Sequence, residues 1–194
     1  MLRGMVFVDH MNFDIALRKY YYGLGKPSPK LDYNLLFKNL VALVPNIDFV
    51  KAFIFVPKPD DFLMKDTKLS NYYNWVVGLK NAPYIDVIEG SYTARPVVDD
   101  VPMDLNDATT YYKVEKGTDI NMAVHAMNKA FYNSYDAGFF ISADRDYITV
   151  YSSLKAIGKL SIIAIVRGQN ISKIKPHIDN HIVLSDDFFS CCLR

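Results

Sequence analysis

The chain has 194 residues, 51% of them hydrophobic, and its 22 Lys+Arg and 21 Asp+Glu leave a net charge of +1. That is enough apolar material for one buried core in a single domain, and near-neutrality excludes a global basic field, so any contact with nucleic acid must be a local patch. No apolar run approaches the roughly 20 residues of a membrane span; the start, Met1 to Val8, is too short for a signal peptide; and the only cysteines, Cys191 and Cys192, are neighbours without metal-ligand spacing, so a reducing, cytoplasmic setting is expected.

Met5 to Val8 is a continuous apolar run, the pattern of a buried parallel strand, and it ends on Asp9. Asn12 reads as the cap of a helix carrying Phe13, Ile15, Ala16, Leu17 and Tyr20. Gly23, Gly25, Pro27 and Pro29 break the chain before Asp32 opens a second helix, with Leu35, Leu36, Leu40 and Leu43 on one face. Phe49 to Val56 is a strand closed by Pro57 and Pro59. Lys65 to Leu79 is a helix, and Tyr84 to Ile88 a third strand. Residues 90–113, rich in proline and aspartate, suit a surface hairpin or loop. Lys116-Gly117-Thr118-Asp119 then leads into a helix whose apolar face is Ile120, Val124, Met127 and Phe131. Ala137 to Ile141 is a strand running into Ser142-Ala143-Asp144-Arg145-Asp146. Tyr147 to Ile157 is a helix ended by Gly158, Leu160 to Val166 a strand, and a short helix from about Ser172 precedes a last strand at His181 to Leu184.

Alternating strands and helices predict an α/β fold, a three-layer sandwich around a central, mainly parallel sheet. Such sheets bind ligands beyond the carboxyl ends of their strands, where strand order switches. Asp9 and Asp144 both follow strands directly. If Asp9, Asp119, Asp144 and Asp146 converge there, each pair about 4 Å apart costs roughly 4 kcal/mol at an effective dielectric near 20. Oxygen-only ligands in such a cluster suit Mg²⁺ or Mn²⁺. Singly, Asp119 or Thr118 also reads as a helix cap, and Asp144 and Asp146 as turn residues. Asp9 is harder to explain that way, because an acid at the end of a buried strand needs a partner.

Taken in order, these pieces resemble a known family. Val8-Asp9-His10-Met11-Asn12, Lys116-Gly117-Thr118-Asp119 and Ser142-Ala143-Asp144-Arg145-Asp146-Tyr147 match strand–Asp–x–x–Asn, Lys–Gly–x–Asp and Ser–Gly–Asp–x–Asp–Phe. The chain is similar to the NYN domain family, the PIN-like group that includes LabA-like metal-dependent ribonucleases. The resemblance implies one PIN-like, Rossmann-like domain over residues 1–194 and hydrolysis of phosphodiester bonds, with RNA, single-stranded or structured, as substrate. It implies that Asp9, Asn12, Asp119, Asp144 and Asp146 form the catalytic set, and that the four aspartates hold Mg²⁺ or Mn²⁺. Ser142 and Thr118 would support them. Arg145 would meet a phosphate or neutralise the cluster, and His10 would stand near the scissile bond. Three positions depart from the pattern: His10 and Ala143 replace glycines, and His125 replaces an acid, which weakens the case for a second metal.

Two other functions remain open on the same residues: a non-catalytic nucleic-acid-binding or regulatory module, and a Mg²⁺-dependent phosphatase. Two basic sets, Arg18, Lys19, Lys26 and Lys30 near the start and Lys155, Lys159, Arg167, Lys173, Lys175 and His177 near the end, could track a phosphate backbone, although scattered lysines more often serve a solvated surface. Exposed aromatics and the commonness of twofold assemblies suggest a homodimer.

Overall fold

Thirteen regular elements carry the fold in a computed structural model that describes residues 1–194. In chain order they are β1 (Leu2–Asp9), α1 (His10–Gly23), α2 (Tyr33–Ala42), β2 (Ile47–Pro59), α3 (Thr67–Gly78), β3 (Ile85–Pro96), β4 (Tyr111–Lys116), α4 (Thr118–Phe131), β5 (Ala137–Ile141), α5 (Ile148–Ala156), β6 (Leu160–Val166), β7 (Asn180–Leu184) and α6 (Asp186–Ser190). The seven strands form one sheet in the order β4-β3-β2-β1-β5-β6-β7. All neighbours are parallel except β3 and β4, which make a hairpin around residues 97–110. The chain first builds outward from β1 through β2 and β3, then returns to add β5, β6 and β7 on the other side. The switch in strand order therefore lies between β1 and β5.

Side chains alternate across the sheet. Val6 and Val8 of β1 face a core completed by α1, α2, α3 and α6, through Phe13, Leu17, Leu36, Leu40, Val76 and Phe189. Met5 and Phe7 face the other layer, α4 and α5, through Met122, Ala126, Tyr151 and Leu154. Asp9 has the parity of Met5 and Phe7, so it belongs to the α4–α5 side. On that side Phe7 stacks on Phe53 of β2 and Phe140 of β5, with ring centroids 5.5 and 5.1 Å apart. These pairs lie in register across three strands. No helix is long and apolar enough to cross a membrane.

Several local expectations change in the structure. Asp9, not Asn12, caps α1: its side chain accepts the Asn12 N–H. Asp32 and Asp66 cap α2 and α3 in the same way. Pro57 lies inside β2, which runs on to end at Pro59. Pairing with β1 ends at Phe55, and beyond that point β2 bonds only to β3, so a missing N–H on the open side costs no ladder bond. The third strand runs on to Pro96. The apolar face expected for α4 is the wrong one. Thr118, Met122, Ala126 and Ala130 are buried, whereas Ile120, Val124 and Phe131 are exposed. The aromatic rings on the sheet already fill the space between layers, leaving room mainly for small helix side chains. His125, expected on the solvent face, instead packs against Phe53 and Phe55.

Removing the central ring of the stack should be costly. Phe7→Ala is expected to destabilise the protein by about 3–5 kcal/mol in urea unfolding, the range for large-to-small changes in a closed core. A loss below about 1 kcal/mol would mean that the site's floor does not depend on this stack.

Candidate active site

The site is built at the β1–β5 switch. Val8 pairs with Ile141, so the chain leaves both strands side by side, one into Asp9 and the other into Ser142-Ala143-Asp144. Asp9 is only 7% exposed. Its Oδ1 accepts the backbone N–H of Asn12 at 3.1 Å, and its Oδ2 accepts the Ser142 hydroxyl at 3.4 Å. Ser142 Oγ in turn accepts the Asp144 N–H at 3.1 Å, and Asp144 Oδ1 accepts the Asp146 N–H at 3.0 Å. Ala143 is not among the residues of positive φ, so alanine stands without backbone strain where the resembled motif has glycine.

Asp119 stands on the first turn of α4, in the helix layer on Asp9's side of the sheet. The turn before it needs two glycines. Gly117 has φ +85°. Gly90 of β3 lies so close to the turn that a Cβ there would come within 2.3 Å of Thr118 Oγ1 and 2.8 Å of Thr118 N. Asp119 Oδ1 accepts the Tyr147 hydroxyl at 2.6 Å. Tyr147 is held far above its ordinary pKa, by burial first and then by the negative charges of Asp9 and Asp119.

Asp9 itself is raised to about 7. Burial is the main cause; the Asn12 N–H opposes it, and the charges of Asp119, Glu115 and Asp144 add to it. Glu115, on β4, was not anticipated. It stands at the rim, its pKa raised by partial burial and by Asp119, although the nearby Thr118 hydroxyl lowers it. No ion pair involves Asp9, Glu115, Asp119 or Asp144. Two buried hydroxyls near them, Thr118 Oγ1 and Tyr151 OH, lack a well-formed hydrogen bond.

These features bear on whether a cation fits. The donors are all oxygens and no positive side chain pairs with them, both of which suit a hard divalent ion. As the side chains stand, no three acidic, histidine or cysteine groups are close enough to hold one ion between them. The acids surround Asp9 within Coulombic reach rather than in contact, so a shared ion would draw the rim carboxylates inward.

The remaining expected residues fall in different places. Asn12 does not touch Asp9 with its side chain. Its Oδ1 accepts the Ala143 N–H at 3.3 Å and the Gln169 amide at 3.1 Å. Asp146 is exposed and is not among the charges acting on Asp9. Arg145 is exposed and in no ion pair, so it does not neutralise the acids in this structure. His10 is fully buried and does not face the pocket. Its Nδ1 and Nε2 lie 2.7 and 2.8 Å from the hydroxyls of Tyr72 and Tyr33, and burial lowers its pKa to about 3. A neutral ring with both nitrogens engaged cannot meet a substrate phosphate; it ties α1 to α2 and α3.

The NYN domain family model matches residues 3–185 of the chain. No curated protein is similar to it. Among solved structures, it is similar to a protein of unknown function from Vibrio parahaemolyticus RIMD 2210633, at 16% identity and a TM-score of 0.59, over 96% of this chain and 95% of that one. At that identity the likeness speaks for the fold alone.

The raised pKa of Asp9 has a measurable consequence. Its folded pKa of about 7 exceeds its ordinary value of 3.8. The contribution to stability is therefore full below the ordinary value and is lost as pH rises through 7. Asparagine caps a helix as well as aspartate does. In chelator, Asp9→Asn should match the wild type near pH 4 and exceed it at pH 8 by up to about 4 kcal/mol. Thermal melts across that range would show it; parallel curves would contradict the raised pKa.

Proposed function

The chain belongs to the NYN domain family, whose members are generally nucleases, and from that premise we propose that it is a metal-dependent nuclease hydrolysing phosphodiester bonds, with RNA as substrate. The observation that carries the proposal is the Asp9 carboxylate, buried at the strand switch, pressed by three other acids and paired with no base. Burying a charge without compensation is unfavourable, and a functional cation would relieve it.

Asp9, Asp119 and Asp144 would hold Mg²⁺ or Mn²⁺, with Glu115 as a further rim carboxylate and Asp146 acting through water. Such an ion, when bound, polarises a phosphoryl oxygen and makes a bound water more acidic. The protein's own residues do the positioning. The Asn12 N–H and the Ser142 hydroxyl fix the two oxygens of Asp9. Tyr147 holds Asp119 in place through a 2.6 Å hydrogen bond. Preference for RNA rests on the family alone, since no residue described here reads a 2′-hydroxyl.

Purified protein with Mn²⁺ should cleave labelled single-stranded RNA. Asp9→Asn and Asp144→Asn should each reduce the rate at least about a hundredfold, and Ser142→Ala about tenfold, as expected for ligands and for the groups that orient them. Cleavage that survives Asp9→Asn would reject the assignment. Binding without cleavage would favour a regulatory module, and turnover of a small aryl phosphate in place of RNA would favour a phosphatase.

A further inference from the structure

A groove of about 740 Å³ opens beside the acidic site, reaching it through Asn12 and Ala143. One wall is α1, presenting Ile15, Ala16, Lys19 and Tyr20; the other is the loop after β6, presenting Arg167 and Asn170. Asn12 and Ala143 line its inner end. Both also belong to the acidic site: the Asn12 N–H binds Asp9, and Ala143 separates Ser142 from Asp144. Whatever lies in the groove therefore adjoins the carboxylates.

Its chemistry differs from that of the pocket. Lys19 and Arg167 approach from opposite walls, both exposed. Neighbouring cations are already used, Arg18 by Asp14 and Lys26 by Asp186, whereas Lys19 and Arg167 are in no ion pair. The floor offers fixed donors. Gln169 Oε1 accepts the Val166 N–H at 2.9 Å, which makes Nε2 the atom that donates to Asn12. The Asn12 oxygen therefore faces Gln169 and Ala143, and its amide N–H₂ is left to the groove. Ile15, Ala16 and Leu24 supply an apolar wall, and the Tyr20 ring is held by the hydrogen bond its hydroxyl accepts from the Asp186 N–H.

Two cations on the rim, the Asn12 amide on the floor and an apolar wall next to a site for phosphoryl chemistry suit one kind of occupant. We propose that this groove binds the unpaired nucleotides flanking the scissile phosphate, with Lys19 and Arg167 on the backbone and the base against the α1 wall, so that the substrate must be single-stranded. A paired base has its faces covered by its neighbours and cannot use that wall. This inference rests on the nuclease reading for its orientation, but its test does not require turnover.

Fluorescence anisotropy of the full chain in EDTA would measure binding to a labelled single-stranded RNA, the same sequence as single-stranded DNA, and its duplex. The Lys19→Ala/Arg167→Ala double variant should bind the single strands at least about tenfold more weakly, with the slope of log K against log salt reduced by about 1.4, near 0.7 for each lost phosphate contact. Lys38→Ala/Lys80→Ala, two exposed lysines away from the groove, makes the same charge change and should leave affinity unaltered. Stronger binding of RNA than DNA would add a sugar contact to the groove; equal binding would leave the backbone and base contacts as stated. Unchanged binding in the groove variant, equal loss in the control, or a duplex bound as tightly as the single strands would overturn the proposal. If the groove variant loses binding while the wild type cleaves nothing with Mn²⁺, the groove stands and the nuclease reading falls. Cleavage with unaltered binding gives the reverse.

Discussion

The fold takes the negative charge of Asp9 out of water and supplies no positive side chain to meet it. Elsewhere in the molecule the partly buried carboxylates either meet a base, as Asp136 does Arg3, Asp186 Lys26 and Asp14 Arg18, or accept two backbone N–H groups, as Asp32, Asp60 and Asp66 do. At the β1–β5 switch the pattern reverses. Asp9 is held by one backbone N–H and one long hydroxyl contact, while Glu115, Asp119 and Asp144 all push its proton affinity upward. A structural carboxylate would be expected to acquire a lysine, an arginine or a second backbone N–H, since a buried unpaired charge is among the costlier features a fold can carry. Retaining the imbalance at the one crevice where the sheet topology admits a ligand gives it a functional meaning.

The surroundings support that charge from both layers. The stacked rings of Phe53, Phe7 and Phe140 make a rigid floor immediately before Asp9. Tyr147 and Ser142 fix the acids laterally, and Asn12 links α1, the turn after β5 and the loop after β6 through a single carbonyl oxygen. That same amide joins the negative pocket to the groove bearing Lys19 and Arg167. Opposite charges on adjoining surfaces are what a polyanion that is also a substrate requires: attraction along the strand and a cation site at the point of reaction.

Much of this was legible in the sequence because the central strands are nearly pure apolar runs. Ala137 to Ile141 and Leu160 to Val166 have the bounds expected of them, and Asp9 and Asp144 stand where runs of that kind end. What was illegible depended on partners distant in the chain. Glu115 looked like one more acid in a polar stretch until β4 paired with β3 and brought it to the rim; its place just before Lys116-Gly117 was the available signal. The face of α4 was misread because periodicity favours large apolar residues, whereas the aromatic sheet accepts small ones. His10 beside Asp9 looked reactive by adjacency, yet consecutive residues at a strand-to-helix junction point to opposite layers, and its ring is buried between Tyr33 and Tyr72. Lys19 and Arg167 were two among many cations, and only the fold sets them across one groove.

The central claim is that acids from distant stretches of chain share one hard cation at the strand switch. A crystal grown near pH 8 and soaked in manganese tests it directly, because anomalous scattering locates the ion without reference to activity. The predicted result is a peak coordinated by Asp9 together with Asp119 or Asp144, with the rim carboxylates turned inward relative to their positions here. A fully soaked crystal with no peak at Asp9, or with manganese bound only elsewhere, would contradict it.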